Sequence, residues 1–311
     1  MQAKGLFQGV RLTVFAPSRQ WMTSQGEVDY ALHEKALCAL ETLGFELRLT
    51  GSVWLEDRRF AGTDPERAAD FVTALNLEGS DLLMALRGGW GAARMLSCLD
   101  WEAIPGEIPP LVGYSDITAI NLALLARKNI VSWQGPTLRD LIDPDPLTLE
   151  GLEMVLGRRP FSLTWPARRF FGSERGEVSG VLWGGNLSVL TSLIGTPYFP
   201  SGVLASDNIL FLEDVSEPAY RIDRMLMQLE LAGALRHTKA IVAGEFTGAD
   251  QSCGWDGDFE LFDALVDTAE RSGVPVIDGL PFGHVHAKTS LPVGERVRLV
   301  YSGDGVTLER R

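Results

Sequence analysis

Positive charge is scarce in this chain: 28 lysines and arginines stand against 41 aspartates and glutamates, a formal net charge of -13 over 311 residues. Neutralising a phosphate backbone needs a basic face, so this balance argues against nucleic acid as a partner. A small acidic ligand would need a local basic pocket set against the overall field. Cysteine is nearly absent. Cys38, Cys98 and Cys253 lie far apart with no C-x-x-C pair, so no disulfide framework is expected, and reduced thiols imply a cytoplasmic location. Cys38 and Cys98 fall in apolar, helix-like patterns and are expected to be buried. No run approaches the ~18 consecutive apolar residues of a membrane span, and the first residues, MQAKGLFQGVRLTVFAPS, lack the apolar core and cleavage site of a signal peptide. No internal repeat or low-complexity segment is present.

What is present is an alternation. VRLTVFA (10–16), FELRLT (45–50), DLLMAL (81–86), PPLVGY and NIVSW (129–133) read as strands. Between them, helical spacing marks residues 28–43, 64–77 and about 116–127. Strands alternating with helices predict a parallel, doubly wound α/β sheet, in which ligands bind beyond the carboxyl ends of the strands. Three such ends carry unusual residues: Pro17-Ser18, Arg87-Gly88-Gly89 and Ser115-Asp116. Residues 141–180 change character and read as a connection, so the chain divides into 1–140, 141–180 and 181–311. In the last part NILFLED (208–214), IVAGEF (241–246), 274–284 and 296–301 read as β structure, with helices across 218–232 and 258–271.

Several residues at these ends are suited to chemistry. Ser115 stands where a strand turns into a helix, a place equally suited to a helix cap and to an exposed nucleophile. The loop RGGWGAARML (87–96) is neither G-x-G-x-x-G nor a Walker loop; it is a tight turn, a phosphate cradle or an oxyanion hole. A serine needs a base, and of four histidines His284 and His286 sit in a loop at a strand end, whereas His33 and His237 read as surface residues. The H-x-H pair is also a possible zinc ligand pair, but no further Cys or His lies near it in sequence. The base needs an orienting carboxylate, for which Glu213, Asp214 and Glu217 are available; Glu217, directly before Pro218, is equally suited to capping a helix, and Glu213 and Asp214 are equally open to ligating a metal or pairing with Arg221 and Arg224.

Taken together, RGGWGAARML, GYSDITAI, GGNLSVL, LEDVSEPAYRIDRML and GHVHAKTSLPVG resemble the LD-carboxypeptidase family of serine peptidases, which includes the microcin C self-immunity hydrolases. The resemblance runs from the APS turn near residue 16 to the LPVG near 294. It implies an N-terminal domain like that of class I glutamine amidotransferases and a smaller, β-rich α/β C-terminal domain, with the site between them. It also implies a triad of Ser115, Glu217 and His284, with the backbone N–H groups of Gly89 and Asp116 as the oxyanion hole. Arg87, Arg94, Arg224 and Lys288 are candidates to hold a substrate carboxylate, and Trp183 and Asn186 to line the cleft. No metal or cofactor is implied, and the protein is expected to be a cytoplasmic homodimer acting on a small muropeptide. The implied reaction removes the terminal D-alanine of the murein tetrapeptide L-Ala-γ-D-Glu-mDAP-D-Ala in cell-wall recycling. The alternatives are hydrolysis of aminoacyl-sulfamoyl-adenylates and non-catalytic muropeptide binding.

Overall fold

The computed structural model describes residues 4–249, 259–303 and 305–311. Cys253 lies outside them. In chain order the first half runs β1 (Arg11–Phe15), α1 (Tyr30–Leu43), β2 (Glu46–Leu49), α2 (Asp64–Leu75), β3 (Leu82–Ala85), α3 (Ala92–Met95), β4 (Leu111–Val112), α4 (Thr118–Lys128) and β5 (Ser132–Gln134). The second half continues α5 (Pro146–Val155), β6 (Ser162–Trp165), β7 (Arg169–Phe171), β8 (Gly176–Asn186), α6 (Leu187–Ser192), β9 (Asn208–Val215) and α7 (Ala219–Leu231). It ends with β10 (Thr238–Thr247), α8 (Leu261–Ser272), β11 (Val276–Gly283), β12 (Leu291–Val293), β13 (Glu295–Ser302) and β14 (Gly305–Arg310).

Local chemistry sets the helix boundaries. At α2, Thr63 caps the N-terminus reciprocally with Glu66, and Pro65 occupies the first turn, where its missing N–H costs nothing. Helix α1 stops at Gly44, whose φ of 98° only glycine adopts readily. The central strands β1, β3 and β4 are buried apolar runs, such as LLMA in β3, as expected of a sheet covered on both faces, whereas the edge strand β2 (ELRL) is only partly buried.

The molecule has two sheets. The first has six strands in the order β12-β5-β4-β3-β1-β2, parallel from β5 to β2 with β12 antiparallel on the β5 edge. This is the doubly wound sheet that the alternation predicts, extended by a strand from the far end of the chain. The second has eight strands in the order β6-β14-β13-β8-β9-β10-β11-β7. Its centre, β8 to β11, is parallel, and its flanks are antiparallel. Residues 141–180, expected to be a connection, instead hold α5, both edge strands of the second sheet and the start of β8. Of the arginines and glycines that hide any period there, Arg169 sits on edge strand β7 and Gly180 packs against the Asn208 backbone.

The sheets meet where α4 packs on β8. Gly185 has φ 144°, and a Cβ there would fall 2.5 Å from Thr118 Oγ1. The Asn186 N–H donates to that hydroxyl at 3.0 Å. Among the described residues no helix is long and apolar enough to cross a membrane. Cys38 and Cys98, expected in the core, are exposed thiols on α1 and on the turn after α3, because their patterns turn other positions (Ala36 and Leu40, Met95 and Leu96) inward.

Candidate active site

Ser115 follows β4 and opens a short 3-10 turn, Ser115–Ile117, that runs into α4. Its φ is 64°, a left-handed conformation that costs a non-glycine residue about 1 kcal/mol or more. Neither that turn nor α4 has a side-chain cap, so Ser115 is not a cap. Its Oγ lies 3.1 Å from His284 Nε2. The strain holds the hydroxyl out at the sheet end, towards the base.

His284 directly follows β11. Its Nδ1 lies 2.7 Å from Glu213 Oε2 on neighbouring β9. A carboxylate only accepts, so Nδ1 carries the proton; in the neutral ring Nε2 is then the acceptor for the serine hydroxyl. Glu213 is fully buried, while the His284 side chain keeps 19% of its surface exposed. Gly283 makes this approach possible: with φ 107° it brings the backbone so close that a Cβ would fall 2.8 Å from Glu213 Oε2. Tyr114 meets the imidazole edge-on at 5.0 Å between ring centres.

The carboxylate on the histidine is therefore Glu213, not Glu217. Glu217 lies beyond the end of β9, after Ser216 turns the chain with φ 60°. It faces Arg221, with Nε 3.0 Å from Oε2, and that oxygen makes no hydrogen bond. Asp214 points to the other side of β9 from Glu213. It accepts from Asn186 Nδ2, Ser188 N–H and Val215 N–H. Burial first, and then the Glu213 charge, push its carboxyl up to about 6 against those hydrogen bonds.

Asp116 directly follows the nucleophile in the chain, and Gly89 follows the glycine that packs on it. Gly88 passes so close that a Cβ would fall 2.8 Å from Ser115 Cβ and 3.0 Å from its Oγ. The Asp116 carboxylate ties the strand ends together, accepting from Ser18 Oγ at 2.6 Å and Ala92 N–H at 2.8 Å. Burial pushes its pKa up, opposed by those bonds. The three unusual strand ends of the sequence thus converge.

The cleft candidates separate. Trp183 is core, fully buried, with its indole N–H on Asn208 Oδ1. Asn186 is also buried and caps α6 while binding Asp214. Lys288 is buried, pairs with Asp140 and lies 4.2 Å over the Tyr114 ring. Arg94 pairs with Asp64, and Arg224 lies exposed against Tyr220 on α7. Arg87 remains beside the nucleophile, half-buried, with its Nε on the Gly88 carbonyl. His286 is exposed. His33 is buried, bonded to Gln20 and packed against Trp21; its helix turns it inward. Sequence reasoning missed Tyr114, Asp140 and Arg19 around the site. Only Tyr114 had a signal, its place directly before the serine.

Comparison with known proteins identifies the family. Residues 12–135 match the model of the LD-carboxypeptidase N-terminal domain, and residues 179–299 that of the LD-carboxypeptidase C-terminal domain. A putative carboxypeptidase of Synechocystis sp. is 33% identical, covering 99% of this chain and 96% of its own length. The microcin C7 self-immunity protein of Escherichia coli is 25% identical, covering 86% of this chain and 85% of its own length. The crystal structure of the muramoyltetrapeptide carboxypeptidase from Oxalobacter formigenes superposes with a TM-score of 0.83 at 32% identity, covering 95% of this chain and 98% of that one. With both domain models matched in order and a serine bonded to a histidine between them, the chain belongs to the LD-carboxypeptidase family and is a serine carboxypeptidase.

Proposed function

We propose that this protein removes the terminal D-alanine from the murein tetrapeptide L-Ala-γ-D-Glu-mDAP-D-Ala during cell-wall recycling. The observation that carries this reading is the hydrogen-bonded series Ser115–His284–Glu213 in a chain of this family. His284 Nε2 takes the Ser115 proton as Oγ attacks the carbonyl of the L-centre. Glu213 holds the ring in the tautomer that can accept, and stabilises the imidazolium once it forms. The N–H groups of Gly89 and Asp116 face the developing oxyanion, a contribution of roughly 3–4 kcal/mol per donor. His284 then gives its proton to the departing amine, D-alanine leaves, and water releases the acyl group by the same steps in reverse. No metal or cofactor takes part in this scheme.

The exposed, unpaired Cys38 and Cys98 favour a reducing compartment, so the reading includes a cytoplasmic site of action. It also includes a homodimer, as the family resemblance implies. The similarity to the microcin self-immunity protein supports a second reading, hydrolysis of an aminoacyl-sulfamoyl-adenylate.

The test is D-alanine release from the mDAP tetrapeptide by wild type and by Ser115→Ala. Release is expected from wild type and a loss of roughly 10⁴-fold or more from the variant. Release by both alike would remove Ser115 from the chemistry. No release by wild type, with hydrolysis of the sulfamoyl-adenylate instead, would establish the second reading.

A further inference from the structure

Residues 284–290 carry the base from one sheet to the other: β11, which ends at Gly283, lies in the second sheet, and β12, which starts at Leu291, lies in the first. His284 opens this crossing and Lys288 stands four residues on. The Lys288 side chain is only 3% exposed, and its ammonium pairs with Asp140, in the turn Leu138–Ile142 that follows β5 of the first sheet. Asp140 is itself fixed, its other oxygen accepting from the Thr137 N–H at 2.8 Å and the Thr137 hydroxyl at 2.9 Å. Thr148 of α5 adds a second tie to the crossing: its hydroxyl donates to the His286 carbonyl and accepts from the Lys288 N–H, both at 3.4 Å. The ion pair thus binds the crossing that carries the base to the sheet whose β4 leads into the nucleophile.

Tyr114 joins this pair to the imidazole. It directly precedes Ser115, its ring meets the His284 ring edge-on at 5.0 Å, and the Lys288 ammonium sits 4.2 Å from the centre of the same tyrosine ring. Its hydroxyl donates to Asp140 at 3.4 Å. Burial first, and then the charges of Asp140 and Glu213, push its pKa up, so the phenol keeps its proton. Glu213 holds the imidazole at one atom, and a single hydrogen bond leaves the ring free to tilt about it; packing against Tyr114 removes that freedom. Replacing a buried ion pair by apolar residues of similar volume is often neutral for stability, so what the Lys288–Asp140 pair supplies is a fixed geometry. We propose that Lys288, Asp140 and Tyr114 are positioning residues for the base: the ion pair clamps the His284 crossing to the first sheet, and Tyr114 sets the tilt at which Nε2 meets the Ser115 hydroxyl. This rests on His284 as the base, whichever substrate is cleaved. Among the described residues the imidazole faces Glu213 of β9 and Tyr114, with Asp140 and Lys288 against Tyr114; Glu245 of β10, in register with Gly283, is taken up by Arg168. Removing the Lys288 charge leaves Asp140 unpaired beside this group, which favours an imidazolium.

The experiment follows D-alanine release from the tetrapeptide against pH for wild type, Lys288→Met, Tyr114→Leu and Tyr114→Phe. Lys288→Met is expected to lose roughly 30–100-fold in kcat with KM within about threefold. The acid limb of its kcat/KM profile is expected to move up by about half a pH unit or more, a shift that a merely structural role would not produce. Tyr114→Leu is expected to lose about 100-fold in kcat, and Tyr114→Phe, which keeps the ring, to recover most of that. A Lys288→Met that raises KM and keeps kcat overturns the proposal, because Lys288 then binds substrate; an unmoved acid limb overturns it as well. Should Lys288→Met not fold, the Tyr114 variants decide: recovery in Tyr114→Phe upholds the proposal, and equal losses in the two overturn it. If wild type releases no D-alanine, the tetrapeptide reading fails by itself. Exchange of the His284 Nδ1 proton with water, read by NMR without any substrate, then decides the positioning set. Faster exchange in Lys288→Met and Tyr114→Leu than in wild type and Tyr114→Phe upholds it, and equal rates overturn it.

Discussion

A carboxylate that orients a histidine must itself be fixed, and Glu213 is fixed by burial and by its place within a strand. Its Oε2 holds His284 at 2.7 Å, while its other oxygen is buried without a partner, so the His284 N–H is its one bond among the described residues. Glu213→Gln keeps the shape but no longer stabilises an imidazolium. The expected result is a fall in kcat of roughly 10³–10⁴ with the melting temperature nearly unchanged. Glu217→Gln removes only a one-turn ion pair with an exposed arginine, so kcat is expected to stay within about threefold and stability within ~1 kcal/mol. Steady-state kinetics of the two variants separates the roles, and the reverse ranking would return Glu217 to the triad. The serine and the histidine were legible from the residues around them. The carboxylate was not, because three acidic side chains within five positions differ in role only by which face of β9 they leave and where that strand ends.

Strand β9 also places two acids side by side with opposite demands. Glu213 faces the histidine, whereas Asp214 faces α6 and holds its proton up to about pH 6. An unfolded aspartate releases its proton near ~3.9. Between those values the folded state binds more protons, so the contribution of Asp214 to stability falls as pH rises from about 4 to about 6, by ~3 kcal/mol at most. Asp214→Asn does not titrate. Urea unfolding of both proteins at pH 4.5 and pH 7 is expected to show the variant gaining on wild type at the higher pH; an unchanged gap would mean that Asp214 titrates as an ordinary carboxylate. Strand β9 was readable because its apolar run is long and glycine-free. Its neighbour β8 was not, since Gly180 and Gly184 pack against the backbone of Asn208 and Phe211, and glycines at such crossings erase the alternation that marks a strand. The edge strand β12, with a proline in three residues, carries even less pattern.

The site exists only because two sheets are held at one spacing. Ser115 belongs to the first sheet, Glu213 and His284 to the second, and α4 on β8 is one contact between them. There Asn186 is in register with Glu213, and its N–H rests on Thr118, three residues beyond the nucleophile. A methyl on Gly185 would collide with the Thr118 hydroxyl at 2.5 Å and its methyl at 2.6 Å, and φ 144° adds backbone strain. Gly185→Ala should therefore push α4 away from β8 and lengthen the Ser115–His284 hydrogen bond. A displacement near 1 Å is enough for a kcat loss of about 100-fold, with the far-UV spectrum retained. Thr118→Ala removes both colliding atoms at the expense of one hydrogen bond worth ~1 kcal/mol. The double variant is expected to be more active than Gly185→Ala alone, because spacing rather than the bond sets the triad. Such a recovery cannot come from general stabilisation, since Thr118→Ala on its own weakens the fold. If Gly185→Ala turns over at the wild-type rate, the distance between the sheets is set elsewhere, and the antiparallel β12–β5 pairing becomes the contact that fixes it.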